Sequence, residues 1–318
     1  MSNLNQNGRI VIIGAGNVGA TVAYTVLMQQ LAAEIVLIDV NQEKVLGEVW
    51  DMNHGLAYFK QVGIRQGTYE DCADADAIVI TAGIGRKPGQ TRLDLAKTNV
   101  SIIRDITKNI MQYAKNPLIV VVSNPVDVLT YVVQQVSGLP ATRVIGSGTT
   151  LDTARFKYLL SEQMKIDVCN VHAYIIGEHG DSELAVWSHA NVAGEPLEHV
   201  YEESGMRLDK ETILKETKTA GAEVIKRKGI TNYGIGMAAG RILSAIVGNE
   251  NAMLTVSTVL NGQQGLSDVA LSLPVLVGAN GVERYLPIQL SEYEKVMLQN
   301  SAEQLKSVIA QAVCLEQE

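Results

Sequence analysis

RIVIIGAGNVGATVAYTVLMQ, residues 9–29, is the stretch that decides the fold. A short apolar run leads into the glycine turn GAGNVG at 14–19, and residues 20–29 have the composition of a helix. The next apolar run, 34–38, ends in Asp39, twenty residues after the turn. This order predicts a strand, a glycine turn, a helix and a second parallel strand that ends in an acid.

The glycines of this turn, Gly14, Gly16 and Gly19, form a GxGxxG pattern. Glycines let a backbone approach a pyrophosphate closely, and the free amides and dipole of the following helix stabilise its charge. Such a pattern alone is often only a turn, but the strand, helix and Asp39 around it predict a dinucleotide-binding fold. Asp39 would accept hydrogen bonds from the adenosine ribose and repel a 2′-phosphate, so NAD is favoured over NADP.

The first half continues to alternate strands and helices. Strands are predicted at 77–81, 118–122 and 144–146, and helices at 94–113 and 126–137. Runs of Val, Ile and Leu separated by helices are typical of a parallel sheet covered on both faces.

We expect an α/β protein with two closely packed domains, because no linker composition separates the halves. A Rossmann-type doubly wound parallel sheet would occupy residues 1–148, and a mixed α+β substrate domain residues 149–318. The second half has strand patterns at 253–260 and 269–277 and a final amphipathic pattern at 291–314.

Composition excludes several classes of partner. A net charge of -8 and a pI of about 5.3 argue against nucleic acid or an anionic membrane surface. The three cysteines form no CxxC pair, so neither a disulfide framework nor a metal site is indicated, and a reducing cytoplasm is expected. No apolar run reaches the length of a membrane span.

His179 lies in the polar turn GEHGDS, directly after the apolar run VHAYII. Since the pKa of histidine is near neutral, a histidine held at a strand end can take and return a proton. Asp152 and Arg155 are three residues apart on a predicted helix that Thr149 or Thr150 would cap. They could form a local salt bridge, or Asp152 could orient the imidazole while Arg155 grips a substrate carboxylate.

The segment IGRKPGQTR, residues 84–92, contains glycines, one proline and three cations after a predicted strand end. It is either a lid over an anionic substrate or a solvated loop. Asn124, at the end of another strand, could bind a ligand or simply form a turn before Pro125.

Five motifs extend these observations over nearly the whole chain: GAGNVG, KPGQTRLDL, SNPVDVLTY, VIGSGTTLDTARF and YIIGEHGDSELAVWS. With them the chain resembles the bacterial NAD-dependent L-lactate dehydrogenases of the lactate and malate dehydrogenase superfamily. The resemblance implies reversible reduction of pyruvate to L-lactate in glycolysis and fermentation, by a cytoplasmic homotetramer or homodimer.

The resemblance also implies roles for single residues. His179 would be the proton donor and acceptor, Asp152 its partner, Arg155 the carboxylate clamp and Arg92 the cation that polarises the carbonyl. Asn124 and Thr231 would line the substrate site. The positions that match cofactor-lining residues are Gly14, Gly16, Val18, Gly19, Asp39, Tyr69, Gly83, Ser123, Ser147 and Ile235.

Arg86 departs from this pattern, because lactate dehydrogenases with this loop usually carry glutamine there. Malate dehydrogenases have an arginine that pairs with the second carboxylate of oxaloacetate, so a malate or broad 2-hydroxy acid dehydrogenase is the alternative. Leu93 and Thr231 argue against malate, since malate enzymes commonly have an acid and a smaller residue there. The intact set of catalytic residues argues against a sensor that binds NAD without catalysis.

Many bacterial relatives are activated by fructose 1,6-bisphosphate through an arginine and a histidine between subunits. His172 matches the histidine, but Lys157 replaces the arginine and lacks its planar fork. We therefore expect weak or absent activation, with His172 otherwise an interface residue. The apolar stretch 45–59 is a candidate subunit contact, and His54, His189 and His199 are expected to be structural or exposed.

Overall fold

The computed structural model describes residues 8–59, 62–85 and 92–313, without the side chain of Arg92. The strands of the first half are β1 (Arg9–Ile13), β2 (Glu34–Ile38), β3 (Gly63–Gln66), β4 (Ala77–Ile80), β5 (Ile119–Val121) and β6 (Val144–Gly146). They pair in parallel in the order β3-β2-β1-β4-β5-β6. This is the strand order of a doubly wound dinucleotide-binding sheet, as predicted.

Alternate residues of each strand build two cores on opposite faces of this sheet. Ile10 and Ile12 join one core and Val11 and Ile13 the other, since successive strand side chains point to opposite faces. The helices of the first half are α1 (Asn17–Gln29), α2 (Gln42–Gly55), α3 (Arg92–Tyr113) and α4 (Val126–Ser137). Residues of α1 and α2 belong to the first core, and residues of α3 and α4 to the second.

The second half does not form a wholly separate unit. Its long strands, β12 (Ala252–Asn261), β13 (Ser267–Gly278) and β14 (Gly281–Tyr285), extend the central sheet as an antiparallel edge. One residue pair, Ser257 with Gly146, joins β12 to β6. The strand patterns at 253–260 and 269–277 predicted these strands but not their continuation of the first sheet.

Shorter elements fill the rest of the second half. The strands are β7 (Val171–His172), β8 (Ile175–Ile176), β9 (Leu184–Ala185), β10 (Asn191–Val192) and β11 (Glu195–Pro196). The helices are α5 (Thr150–Met164), α6 (Leu197–Glu203), α7 (Lys210–Lys228), α8 (Tyr233–Val247) and α9 (Glu292–Val313). A third core includes buried Phe156, whose ring meets Trp187 edge-on at 4.9 Å between centroids. In the described ranges, no helix is long and apolar enough to cross a membrane.

Several local expectations differ from the structure. Helix α1 begins at Asn17 rather than residue 20, because Gly16 occupies the N-cap position and the end of the glycine turn is already helical. Thr149 occupies the N-cap position of α5, one of the two predicted caps, but its side chain makes no capping hydrogen bond. The Thr149 hydroxyl donates to the Ile175 carbonyl at 2.6 Å, and the Thr150 hydroxyl to the Thr255 carbonyl at 3.0 Å. Both hydroxyls tie the helix to neighbouring strands instead.

Two of the remaining histidines have polar partners. The His189 Nε2 atom is 2.7 Å from the Gln289 carbonyl oxygen. The exposed His199 lies near carboxylates one helical turn away on either side, Glu195 and Glu203.

Two glycines of the first turn provide a matched test of packing. A Cβ on Gly19 would overlap the Gly14 carbonyl oxygen, whereas a Cβ on Gly16 would meet no atom within 4 Å. We expect Gly19→Ala to destabilise the protein by about 3 kcal/mol, since overpacking forces the backbone to move. Gly16→Ala should cost about 1 kcal/mol or less. Thermal unfolding measures both, and equal melting temperatures for the two variants would contradict this packing.

Candidate active site

The histidine turn between β8 and β9 is fixed by distant elements. Gly177 exchanges two backbone hydrogen bonds of 2.9 Å with Ser272 of β13. The Glu178 amide donates to the Ser301 hydroxyl of α9 at 2.9 Å. Gly177 has φ of +87°, and a Cβ there would lie 3.0 Å from the Ser301 hydroxyl oxygen, so a larger residue would strain the backbone and crowd Ser301. His179 therefore begins from a constrained backbone.

Asp127 of α4 supplies a further anchor. Its Oδ2 atom accepts a hydrogen bond of 2.7 Å from the His179 backbone amide, while its Oδ1 is buried without a hydrogen-bond partner in the described chain. Burial raises the pKa of Asp127 to about 6. The sequence prediction missed this residue, although a single acid in the apolar run VDVLTYVV was a signal for it.

Asp152 contacts both the predicted proton donor, His179, and the predicted substrate clamp, Arg155. Its Oδ2 atom is 2.5 Å from His179 Nδ1, and its Oδ1 accepts a hydrogen bond of 2.8 Å from Arg155 Nη1. The Asp152 side chain is 3% exposed, against 26% for His179. Because Nδ1 faces the carboxylate, Nε2 is the ring atom left to meet a substrate. The local salt bridge is thus present, and other guanidinium N–H groups remain for a ligand.

These contacts keep both members of the pair charged at neutral pH. Burial by itself would lower the pKa of His179, but the charge and hydrogen bond of Asp152, with help from Asp127 and Glu183, raise it to about 9. Burial also opposes ionisation of Asp152, yet the neighbouring His179 and Arg155 hold its pKa below the usual value. Imidazolium and carboxylate form an ion pair that can release a proton when another base is presented.

Glu183, next to β9, is a third acid beside this pair that sequence reasoning missed. Ligand atoms of Asp152, His179 and Glu183 all lie within 4.8 Å of one another. Such a trio could hold a divalent metal ion, but the Arg155 guanidinium already contacts the Asp152 carboxylate, and its charge opposes a second cation.

The glycine turn has the features that a dinucleotide requires. The space beside Gly16, at the N-terminal end of α1, contains no protein atom within 4 Å of an added Cβ. That opening and the free amides suit a pyrophosphate. Asp39 accepts hydrogen bonds from the Ala15 amide at 2.6 Å and the Asn41 amide at 2.9 Å. Each carboxylate oxygen keeps a lone pair for a ribose hydroxyl.

The other residues predicted to contact the cofactor lie either beside one of the two cores or at the carboxyl ends of the parallel strands. Val18 and Ile235 pack, half-buried, against the core shared by α1 and α8, and Tyr69 against the opposite core. The hydroxyl of buried Ser123 donates to the Ala82 carbonyl at 2.6 Å, and the amide of buried Ser147 to the Val121 carbonyl at 2.8 Å. The serines therefore hold strand ends together whatever else they bind.

Asn99 of α3 links two strand-end segments and was also missed. Its side chain bonds both backbone groups of Ile84 and donates to the Asn124 carbonyl at 2.7 Å. A Cβ on Gly83 would lie 3.2 Å from the Asn99 side-chain oxygen. Exposed Asn124 is thus tied to the start of the basic loop.

The remaining substrate positions are only partly described. Thr231 is half-buried before α8, and Gly234 of the same segment packs against Leu151, the neighbour of Asp152. Arg86 and the Arg92 side chain lie outside the described residues. The structure therefore brings His179, Asp152 and Arg155 together and gives no contact for the two loop arginines.

Lys157 and His172 line one cavity of about 400 Å³ between α5 and β12. Arg241 lines it as well, although its guanidinium is paired with Glu250 at 2.7 Å. The two predicted effector residues are thus neighbours in space.

A doubly wound sheet with an open glycine turn, and a histidine–aspartate ion pair beside an arginine, define a nicotinamide-dependent dehydrogenase. The chain belongs to the lactate/malate dehydrogenase family. The family's models match as the NAD-binding domain over residues 8–146 and the alpha/beta C-terminal domain over residues 149–316.

Similar proteins cover almost the full chain. An L-lactate dehydrogenase of Acetivibrio thermocellus is 48% identical over 97% of this chain and 98% of its own length. One from Priestia megaterium is 48% identical over 94% of both chains. The crystal structure of the minor L-lactate dehydrogenase of Enterococcus mundtii in a ligand-bound form has a TM-score of 0.93 and 45% identity, covering 99% of this chain and 100% of that one.

Asp152→Asn tests the ion pair. Loss of the carboxylate charge removes what keeps the pKa of His179 near 9, so the imidazole should lose its proton at lower pH. We expect a fall in kcat for keto-acid reduction of roughly a hundredfold or more at neutral pH, by analogy with other histidine–aspartate pairs. The pH profile of NADH oxidation measures it. An unchanged alkaline limb would show that Asp152 does not set the protonation of His179.

Proposed function

We propose that this chain is an NAD-dependent L-lactate dehydrogenase that reversibly reduces pyruvate to L-lactate. The observation that carries the proposal is the Asp152–His179 pair with Arg155 alongside, in a chain with an NAD-binding sheet. The L-lactate dehydrogenases similar to this chain support pyruvate over oxaloacetate. A sensor without catalysis would have no need of the buried carboxylate that keeps His179 charged.

His179 moves the proton. Its Nδ1 stays bonded to Asp152, so Nε2 gives its proton to the carbonyl oxygen of pyruvate as that oxygen becomes an alcohol. Asp152 remains ionised and stabilises the imidazolium before transfer. In lactate oxidation the neutral Nε2 takes the hydroxyl proton. Reduction therefore needs pH below the pKa of His179, and oxidation is favoured above it.

Cations position the substrate. Arg155 keeps one N–H on Asp152 and uses others for the substrate carboxylate in two parallel hydrogen bonds. Arg92 stabilises charge on the carbonyl oxygen, a role inferred from its motif. Asn124 and Thr231 complete the site, and closure of the loop that contains Arg86 excludes water.

NAD is the cofactor, and when bound as NADH it supplies the hydride. Gly14, Gly16 and Gly19 allow the backbone to approach its pyrophosphate, and Asp39 holds the adenosine ribose. The other cofactor contacts we propose are Val18, Tyr69, Gly83, Ser123, Ser147 and Ile235.

We also infer a cytoplasmic homo-oligomer, a tetramer or a dimer, with a cofactor domain at 1–148 and a substrate domain at 149–318. Large apolar side chains of α1, α2 and α8 are exposed in the single chain: Tyr24, Met28, Trp50, Tyr233 and Met237. Packing of α1 against α8 makes much of this set one surface that a second copy can cover. The free thiols of Cys72 and Cys169 suit a reducing compartment.

The ratio of kcat/KM for pyruvate to that for oxaloacetate tests the substrate. We expect pyruvate to be preferred, with oxaloacetate as a side substrate because Arg86 can pair with its second carboxylate. Arg86→Gln should leave pyruvate reduction within about threefold and lower the activity with oxaloacetate at least tenfold, the loss of one charge pair. A clear preference of the natural enzyme for oxaloacetate would make it a malate dehydrogenase.

The effector response tests Lys157 and His172. A lysine keeps the charge but cannot make the bidentate phosphate contact of arginine, so millimolar fructose 1,6-bisphosphate should change the KM for pyruvate less than about twofold. Lys157→Arg should increase the effect of fructose 1,6-bisphosphate on the KM for pyruvate. Light scattering on the same samples measures the oligomeric state and should give a dimer or a tetramer. A large drop in KM for the natural enzyme would refute the expected weak activation.

A further inference from the structure

Glu183 is a buried acid that the mechanism above does not use. The residue is 2% exposed, and its Oε1 atom has no hydrogen-bond partner among the residues described. It nevertheless lies within 4.8 Å of the reacting groups, counted between ligand atoms of Glu183, Asp152 and His179. A buried carboxyl without a partner is costly when charged, so its protonation state must depend on its neighbours.

Those neighbours are charged groups from three elements. Asp152 and Arg155 face it from α5, His179 from the histidine turn and Lys218 from α7. Asp127 of α4 faces the same imidazole. Burial and the Asp152 charge oppose ionisation of Glu183, while the three cations favour it, and the balance raises its pKa to about 8.

Glu183 also lines a cavity next to the site. Glu183 and Lys218 line a space of about 560 Å³, together with Trp187 and Met297. The other charged groups around it are Glu198, Lys210, Glu211 and Glu294. Glu183 therefore borders both this cavity and the Asp152–His179 pair.

We propose that Glu183 is a positioning residue for the proton donor: its buried carboxyl, within 4.8 Å of Asp152 and His179, supplies a second negative charge in alkaline solution and so keeps His179 protonated while pyruvate is reduced there. The inference rests on the proposed function of His179 as proton donor. It differs from the role of Asp152, because Asp152 is hydrogen-bonded to the ring and to Arg155, whereas Glu183 has a buried oxygen without a partner among the described residues and acts on the ring through its charge alone.

Loss of the Glu183 charge should shift the pH dependence of pyruvate reduction and of lactate oxidation in the same direction. Glu183→Gln removes the extra negative charge in alkaline solution, so His179 loses its proton at lower pH. The falling limb of pyruvate reduction and the rising limb of lactate oxidation should both move down by about 0.5 to 1 pH unit, a modest charge effect at this separation. A purely structural defect would lower both rates without moving either limb.

Three variants and one measurement on the natural enzyme test the proposed role of Glu183. Pyruvate and lactate pH profiles are recorded for Glu183→Gln, Glu183→Asp and Glu198→Gln. Glu183→Asp keeps a titrating acid and should keep the limbs near their original pH. Glu198→Gln removes a charge from the same cavity, where Glu198 is paired with Lys210, and should leave both profiles unchanged. In the natural enzyme, infrared spectra should show a protonated carboxylic acid at pH 7 that ionises in the alkaline range.

Unmoved limbs in Glu183→Gln, equal shifts in both Glu183 variants, or no protonated acid at pH 7 would overturn the proposal. The natural enzyme is assayed in parallel, which separates the two levels of inference. If it reduces pyruvate while the limbs stay in place, only the role of Glu183 fails. If it shows no turnover of pyruvate, the proposed function itself fails.

Discussion

A single buried carboxylate, that of Asp152, holds the site together. Its two oxygens bond different cationic groups, the imidazole of His179 and the guanidinium of Arg155. An ionised acid with 3% exposure would be unstable alone, so its burial requires both partners. The proton donor and the proposed carboxylate clamp thereby occupy fixed places relative to each other, and the distance between them is set by one side chain.

The backbone around His179 shows how remote parts of the chain serve this geometry. Asp127 of α4, Ser272 of β13 and Ser301 of α9 all bond the residues 177–179. The sheet that provides the NAD-binding edge also carries β13, because β12 continues it beyond β6. The edge of the sheet that binds NAD and the turn that contains His179 are consequently connected through one hydrogen-bonded sheet as well as through packing.

Much of this could be predicted from the sequence. The continuous apolar run of RIVII, which is buried on both faces of the sheet, and the GxGxxG turn have local causes, so the parallel sheet and the first helix followed directly. The spacing of Asp152 and Arg155 on one helix, together with a histidine in a glycine turn, likewise allowed the Asp152–His179 pair to be predicted. Family resemblance was needed to assign separate roles to the arginines, since a local salt bridge was an equally good explanation and is present.

What could not be predicted depends on long-range contacts. Nothing near Glu183 in the sequence shows that its carboxyl faces Asp152, and nothing near Asn99 shows that it joins Ile84 to Asn124. Thr149 and Thr150 are residue types that often cap helices, but their hydroxyls donate to carbonyls of β8 and β12 instead of accepting hydrogen bonds from the first amides of α5. Continuation of the first sheet by β12 likewise requires a pairing more than a hundred residues away in the chain.

The hold of α9 on the histidine turn has a consequence for biosynthesis. Ser301 binds the Glu178 amide and the Ser182 hydroxyl, so the turn lacks these anchors until the ribosome has released residues beyond 301. The six strands of the nucleotide-binding half, by contrast, all lie before residue 147 and are synthesised well before α9. The acid–base centre thus gains its anchor in α9 only after α9 has been synthesised, much later in translation than the strands of the cofactor edge.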